Sequence, residues 1–209
     1  MISTPLTGGY QPWALPWITE YWDGQIGADT STWTPVKGTH AITWTAISLA
    51  NGVYTFNGTT SFGTTAAFTV AQPYTLVLCF KQISWTDQDH VLSCETGGVV
   101  YQDSASPKLS MFAGSAGAAN RNGPAIGSFG ILVAGFSGAS SYLQIDLNTP
   151  TTGNPGTNSM GYFRIGVDNG GTKFGNIAVM GAGYADSLLS AAQASQTVSA
   201  VARRYGVTV

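Results

Sequence analysis

The run "SWTDQDH" sets Trp85 two residues ahead of Asp87, with Gln88 and Asp89 following at once. Sugar recognition draws on that mixture, because the apolar face of a pyranose stacks on a ring while its hydroxyls bond planar polar side chains. Tyr101, followed by Gln102 and Asp103, offers a weaker copy. A structural reading stands beside this one: Trp85 ends a strand and caps the core with its ring.

A second chemistry is calcium. Asp168 and Asn169 in "VDNGG", like the carboxylates of "TDQDH", could supply some of the six to eight oxygens that Ca2+ needs. Asp and Asn are also the ordinary residues of tight turns, so plain turn chemistry competes here. Neither segment is an EF-hand, and no C-x-x-C spacing suggests a zinc site.

Hydrolytic chemistry finds little support. Retaining glycoside hydrolysis needs two carboxyl groups about 5 Å apart. The only glutamates, Glu20 and Glu95, lie in different segments, and the only close acidic pair, Asp87 and Asp89, falls in a turn. His40 and His90 are isolated and lack the Gly-x-Ser-x-Gly elbow of a serine hydrolase. The sequence reads as a non-enzyme.

These residues need elements to position them. The chain breaks into short β-prone runs separated by Gly, Asn, Asp and Pro, among them "AITWTAI", "YTLVLCFKQISW", "HVLSC", "GVVYQ", "KLSMFAG" and "FGILVAGF". Such spacing predicts an all-β sandwich or barrel. In "YTLVLCFK" both alternating faces are apolar, so this strand should be central and covered on both sides. The segment from Asn148 to Gly161 is rich in breakers and reads as a loop. One helix is expected at about 191–205: Ser190 and Gln193 form a capping box, Leu189 precedes the cap, and Gly206 follows Arg203 and Arg204. Its face of Ala194, Val198, Val201 and Tyr205 must lie on the sandwich.

The 209 residues suit one domain. Charged residues make up 9%, against roughly 25% in typical soluble domains. A net charge of -2 with scattered Lys and Arg argues against nucleic acid as a partner. No apolar run approaches the ~20 residues that span a bilayer, and the start lacks the basic head and hydrophobic stretch of an export signal. Cys79 and Cys94 could face each other across a hairpin, but buried reduced thiols are the better expectation for two cysteines in a chain this long. Residues 1–24 form an aromatic, proline-rich N-terminal segment in which Trp13, Trp17 and Trp22 have two readings: an arm docking on another subunit, or a lead strand folded onto its own sandwich. Residues 25–209 then hold the sandwich and its helix.

Three blocks resemble the concanavalin A-like lectin/glucanase superfamily, in its laminin-G-like branch common in bacterial surface and bacteriophage proteins. They are "GVYTFNGTTSFGTTAAFTVAQPYTLVLCFKQ", "YFRIGVDNGGTKFGNIAVMGAGYADSLLS" and the helix end "VARRYGV"; "PWITEYWDGQIGADTSTWTPVKG" is a looser match. The resemblance implies an antiparallel two-sheet jelly-roll sandwich with the C-terminal helix packed outside it. Members of the branch often hold calcium on the sandwich rim, whereas the Glu-x-Asp-x-Glu strand of the superfamily's glucanases has no counterpart here. The expected function is a non-enzymatic lectin-like protein of a bacteriophage particle: a homo-oligomeric capsid decoration, head fibre or tail component on the virion surface. Its partners would be virion proteins and host-surface polysaccharide, and the alternative is a purely structural virion role.

Overall fold

The computed structural model describes residues 11–94, 98–115 and 119–209. Tyr10 and Glu95 lie outside these residues. In chain order the strands are β1 (Glu20–Asp23), β2 (Thr32–Trp33), β3 (Ile42–Thr45), β4 (Ser48–Ala50), β5 (Val53–Thr55), β6 (Phe62–Thr65), β7 (Tyr74–Gln82), β8 (His90–Ser93), β9 (Val99–Gln102), β10 (Lys108–Phe112), β11 (Asn120–Asn122), β12 (Phe129–Phe136), β13 (Ser141–Ile145), β14 (Thr151–Gly153), β15 (Arg164–Ile165) and β16 (Ile177–Ala185), followed by the helix α1 (Ala191–Tyr205). They form two antiparallel sheets. One runs β14-β13-β12-β7-β16-β5-β4, with β1 also on β16; the other runs β11-β10-β9-β8-β15-β6-β3-β2.

Alternation along β7 builds two apolar layers at once. Tyr74, Leu76, Leu78 and Phe80 face the other sheet and join a core with Trp22, Trp33, Trp44, Tyr54 and Phe136. Val77 and Cys79 point the other way, against Ala194, Val198 and Val201 of α1 and against Ile18 and Tyr21. The double coverage read from "YTLVLCFK" is therefore observed. Ser190 and Gln193 make the reciprocal capping box, and Gly206 ends α1 at φ 67°, a left-handed conformation that glycine adopts without a Cβ clash.

The described part of the N-terminal segment folds onto its own chain. Trp22 is fully buried between the sheets, where its indole N–H donates to the His40 carbonyl at 2.9 Å. It has no surface left for another subunit, so its inter-subunit reading is corrected. Trp17 donates to Thr197 Oγ1 of α1 at 3.0 Å, and the Arg204 guanidinium lies 5.3 Å from the centre of the Trp13 ring. Both half-buried rings rest on the closing helix.

Two further expectations are refined. Cys79 and Cys94 are free and buried in different layers, the first under α1 and the second between the sheets, and burial pushes both thiols up. Within the segment read as a loop, Thr151–Gly153 is an edge strand paired with β13, a position that suits β-branched threonines.

Candidate functional site

The outer face of the second sheet carries a cleft of about 510 Å³, walled by β8, β9 and β10 and by the loop of residues 166–175. Its formation begins with an irregularity in β8. His90 pairs with Tyr101 and Leu92 with Val100, which leaves Val91 as an extra residue. Regular alternation would send His90 and Ser93 to opposite faces, being three apart; the bulge turns His90 outward beside Ser93 and buries Val91 and Leu92 together. On β9 and β10 ordinary alternation places Val99, Tyr101 and Phe112 in the cleft and Val100, Leu109 and Met111 in the core.

The 166–175 loop docks closely on β8. A Cβ on Gly175 would meet the His90 carbonyl oxygen at 2.5 Å, so only glycine permits the approach. Asp168 shapes the loop: Oδ1 accepts from the backbone N–H groups of Thr172 and Lys173 at 2.6 and 2.9 Å, and Oδ2 accepts from the Thr172 hydroxyl at 3.0 Å. Burial raises the Asp168 carboxyl, but these hydrogen bonds outweigh it and hold the group below the usual range.

The aromatic wall is Tyr101 stacked with His90, ring centres 5.9 Å apart, with Phe112 opposite and 38% exposed. Burial lowers His90 to about 4, partly opposed by the Asp168 charge, so the imidazole is neutral at physiological pH. Polar groups beside this wall lack partners. Ser93 is 1% exposed and its hydroxyl makes no hydrogen bond, nor does His90 Nδ1, nor does Nε of Arg164, the cross-strand neighbour of Ser93. A buried polar group without a partner costs about 1–3 kcal/mol. Three of them sit on one pair of strands, β8 and β15, beside the aromatic wall.

The residues expected from sequence divide. Tyr101, Gln88, Asp168 and Asn169, assigned to two different chemistries, converge on this one cleft. Trp85 does not line it: the half-buried ring lies beyond the end of β7 and donates its indole N–H to the Lys108 carbonyl at 3.2 Å. Asp87 accepts from the Ser104 N–H at 2.8 Å on the exposed side of the turn, and burial raises the Asp89 carboxyl. Gln88 reaches the cleft because the turn sets it at φ 71°. Ser93, His90 and Phe112 are site residues that the sequence reading does not reach: alternation along β10 signals the outward Phe112, whereas the bulge at Val91 hides the pairing of His90 with Ser93 on one face.

Asp168 and Asn169 do not fit a calcium site. The Asp168 oxygens are occupied within the turn, Asn169 Oδ1 accepts from the Tyr162 hydroxyl, and the Asp168 and Asn169 carbonyls accept from Arg164 Nη1 at 3.1 and 3.4 Å. The cation these oxygens hold is a guanidinium. Among the described residues no group of three or more His, Cys, Asp or Glu side chains could hold a metal, and no described helix is long and apolar enough to cross a membrane.

No protein-family model and no curated protein matches the chain. Solved structures do. Trypanosoma rangeli sialidase superposes with a TM-score of 0.68 at 12% identity, over 92% of this chain and 34% of the sialidase chain. Domain 4 of AbnA, a GH43 extracellular arabinanase from Geobacillus stearothermophilus solved with arabinotriose, superposes with a TM-score of 0.65 at 14% identity, over 87% of this chain and 98% of that one. The binding domain of botulinum neurotoxin serotype D gives a TM-score of 0.63 at 5% identity, over 87% and 51%. The chain thus spans about a third of the sialidase chains it matches. At these identities the likeness establishes the fold, a two-sheet antiparallel β-sandwich with a closing helix.

Proposed function

We propose that this chain is a non-enzymatic glycan-binding module and that the cleft over β8, β9 and β10 is its binding face. The observation that carries the reading is the pairing of an aromatic wall, Tyr101 on His90, with the exposed polar side chains of Gln88 and Asn169 that line the same cleft. A saccharide brings both complements, a flat apolar face and ring hydroxyls. Two neighbours in fold support it: the arabinanase domain was solved with arabinotriose, and the sialidase with sialic acid. Asp168 is the single carboxylate among the described lining residues, its oxygens tied to the turn, which favours binding over hydrolysis. Display on a bacteriophage particle, as an oligomer among virion proteins, is the setting we infer from the sequence resemblance alone.

A screen of the purified protein against immobilised polysaccharides tests this. Saturable binding that is lost in Tyr101→Ala and kept in Trp85→Ala is expected. Silence across the screen, or loss with Trp85→Ala and not with Tyr101→Ala, would overturn it.

A further inference from the structure

The charges around the cleft bear on which saccharides it can take. Asp168 is ionised and lines one wall. Across from it the Tyr101 phenol is raised, first by burial and then by the charges of Asp103 and Asp87, so that wall also lies in a negative field. His90 contributes no charge, being neutral at ordinary pH. The Arg164 guanidinium is committed to the protein: its Nη1 serves the Asp168 and Asn169 carbonyls, and its plane sits 4.4 Å from the centre of the Tyr162 ring. Its Nε is buried, and Arg164 is not among the residues that line the cleft, whereas Asp168 is. Lys173 is the other nearby cation; its charge acts on Asp89 and on His90, but its side chain is not among those lining the cleft.

We propose that the cleft takes uncharged saccharides and discriminates against acidic ones, uronic or sialic, with Asp168 as the specificity-determining residue. The inference rests on the glycan-binding reading and goes beyond it to the class of sugar. Asp168→Asn is the informative variant, because the amide oxygen can still accept from the Thr172 and Lys173 N–H groups while the amide N–H2 donates to the Thr172 hydroxyl that formerly donated to the carboxylate. The loop keeps its shape and only the charge is lost.

The test is an array of matched neutral and acidic probes: galactotriose with trigalacturonate, lactose with sialyllactose, and xylotriose with its glucuronic acid derivative. The wild-type protein should bind neutral members only, or at least about tenfold more tightly than their acidic partners. Asp168→Asn should narrow that ratio about fivefold, the size expected of one charge acting across a partly solvated cleft. Equal or tighter binding of acidic members by the wild-type protein would overturn this inference and leave the glycan-binding reading standing. An unchanged ratio in Asp168→Asn would remove Asp168 from the role. Binding of no probe by the wild-type protein would overturn both.

Discussion

The outer face of the β7–β12–β16 sheet is covered by α1 and the N-terminal segment, while the outer face of the β8–β9–β10 strands is left open, and the polar groups beneath them differ accordingly. Under the helix they are paired across long sequence distances: Tyr142 donates to the Leu189 carbonyl, Thr75 to that of Ser187, Trp17 to Thr197, and the fully buried Asp23 holds Arg204 at 2.6 Å. On the open face Ser93, His90 and Arg164 each keep a buried polar atom without a partner. The difference is that one face pairs its polar groups within the protein, while the other leaves three buried polar atoms unpaired among the described residues.

The largest way to break this contrast is through the closed face. Arg204→Ala would leave the Asp23 carboxylate buried without its counter-charge, a loss of about 3 kcal/mol. For a domain of this size that lowers Tm by about 10 °C. Calorimetry should show the loss while the variant, below its lowered Tm, binds glycan as before.

The next effect separates the faces by pH. The folded-state His90 is depressed to about 4, so the unfolded chain takes up a proton near its ordinary 6.5 while the folded chain does not. Its contribution is fully present above pH 6.5, falls as pH drops and is gone by about 4. Allowing for the partial exposure of the ring, about 2 kcal/mol should disappear over that window. Denaturant titrations of His90→Gln should lose this slope, and those of Arg204→Ala should keep it.

On the open face the expected effects are on affinity. Tyr101→Ala should weaken glycan binding about tenfold and change stability by less than about 1 kcal/mol. Ser93→Ala removes a buried, unpartnered hydroxyl, so stability should hold or rise by up to about 1 kcal/mol while affinity stays within about twofold. A chelator should alter affinity by less than about twofold, since the oxygens of the 166–175 loop already serve the turn and Arg164.

The closed face was the more legible in the sequence, for a physical reason. Its determinants are local: Ser190, Gln193 and Gly206 mark the helix ends, and the alternation from Tyr74 to Phe80 displays both covered faces within a single run. The open face depends on relations between segments. Tyr101, Gln88, Asp168 and Asn169 were each recognisable as polar or aromatic residues in turns and strands, but their meeting depends on the bulge at Val91 and on the docking permitted at Gly175. The same limit explains Trp85. Its neighbours in sequence suggest a platform, yet its indole N–H bonds the Lys108 carbonyl, 23 residues away. Aromatic content in residues 12–22 likewise does not reveal whether a ring turns to its own chain, and α1, which receives two of these rings, lies at the far end of the sequence.

The central claim is that ligand meets the open face at the bulged strand. Amide chemical-shift mapping of the protein, titrated with whichever neutral saccharide binds it on the array, tests this most directly. The account predicts saturable shifts concentrated at residues 90–93, 99–101, 110–112 and 168–170, with α1 silent. Shifts centred on residues 85–87, or on α1 and the segment beneath it, would contradict it.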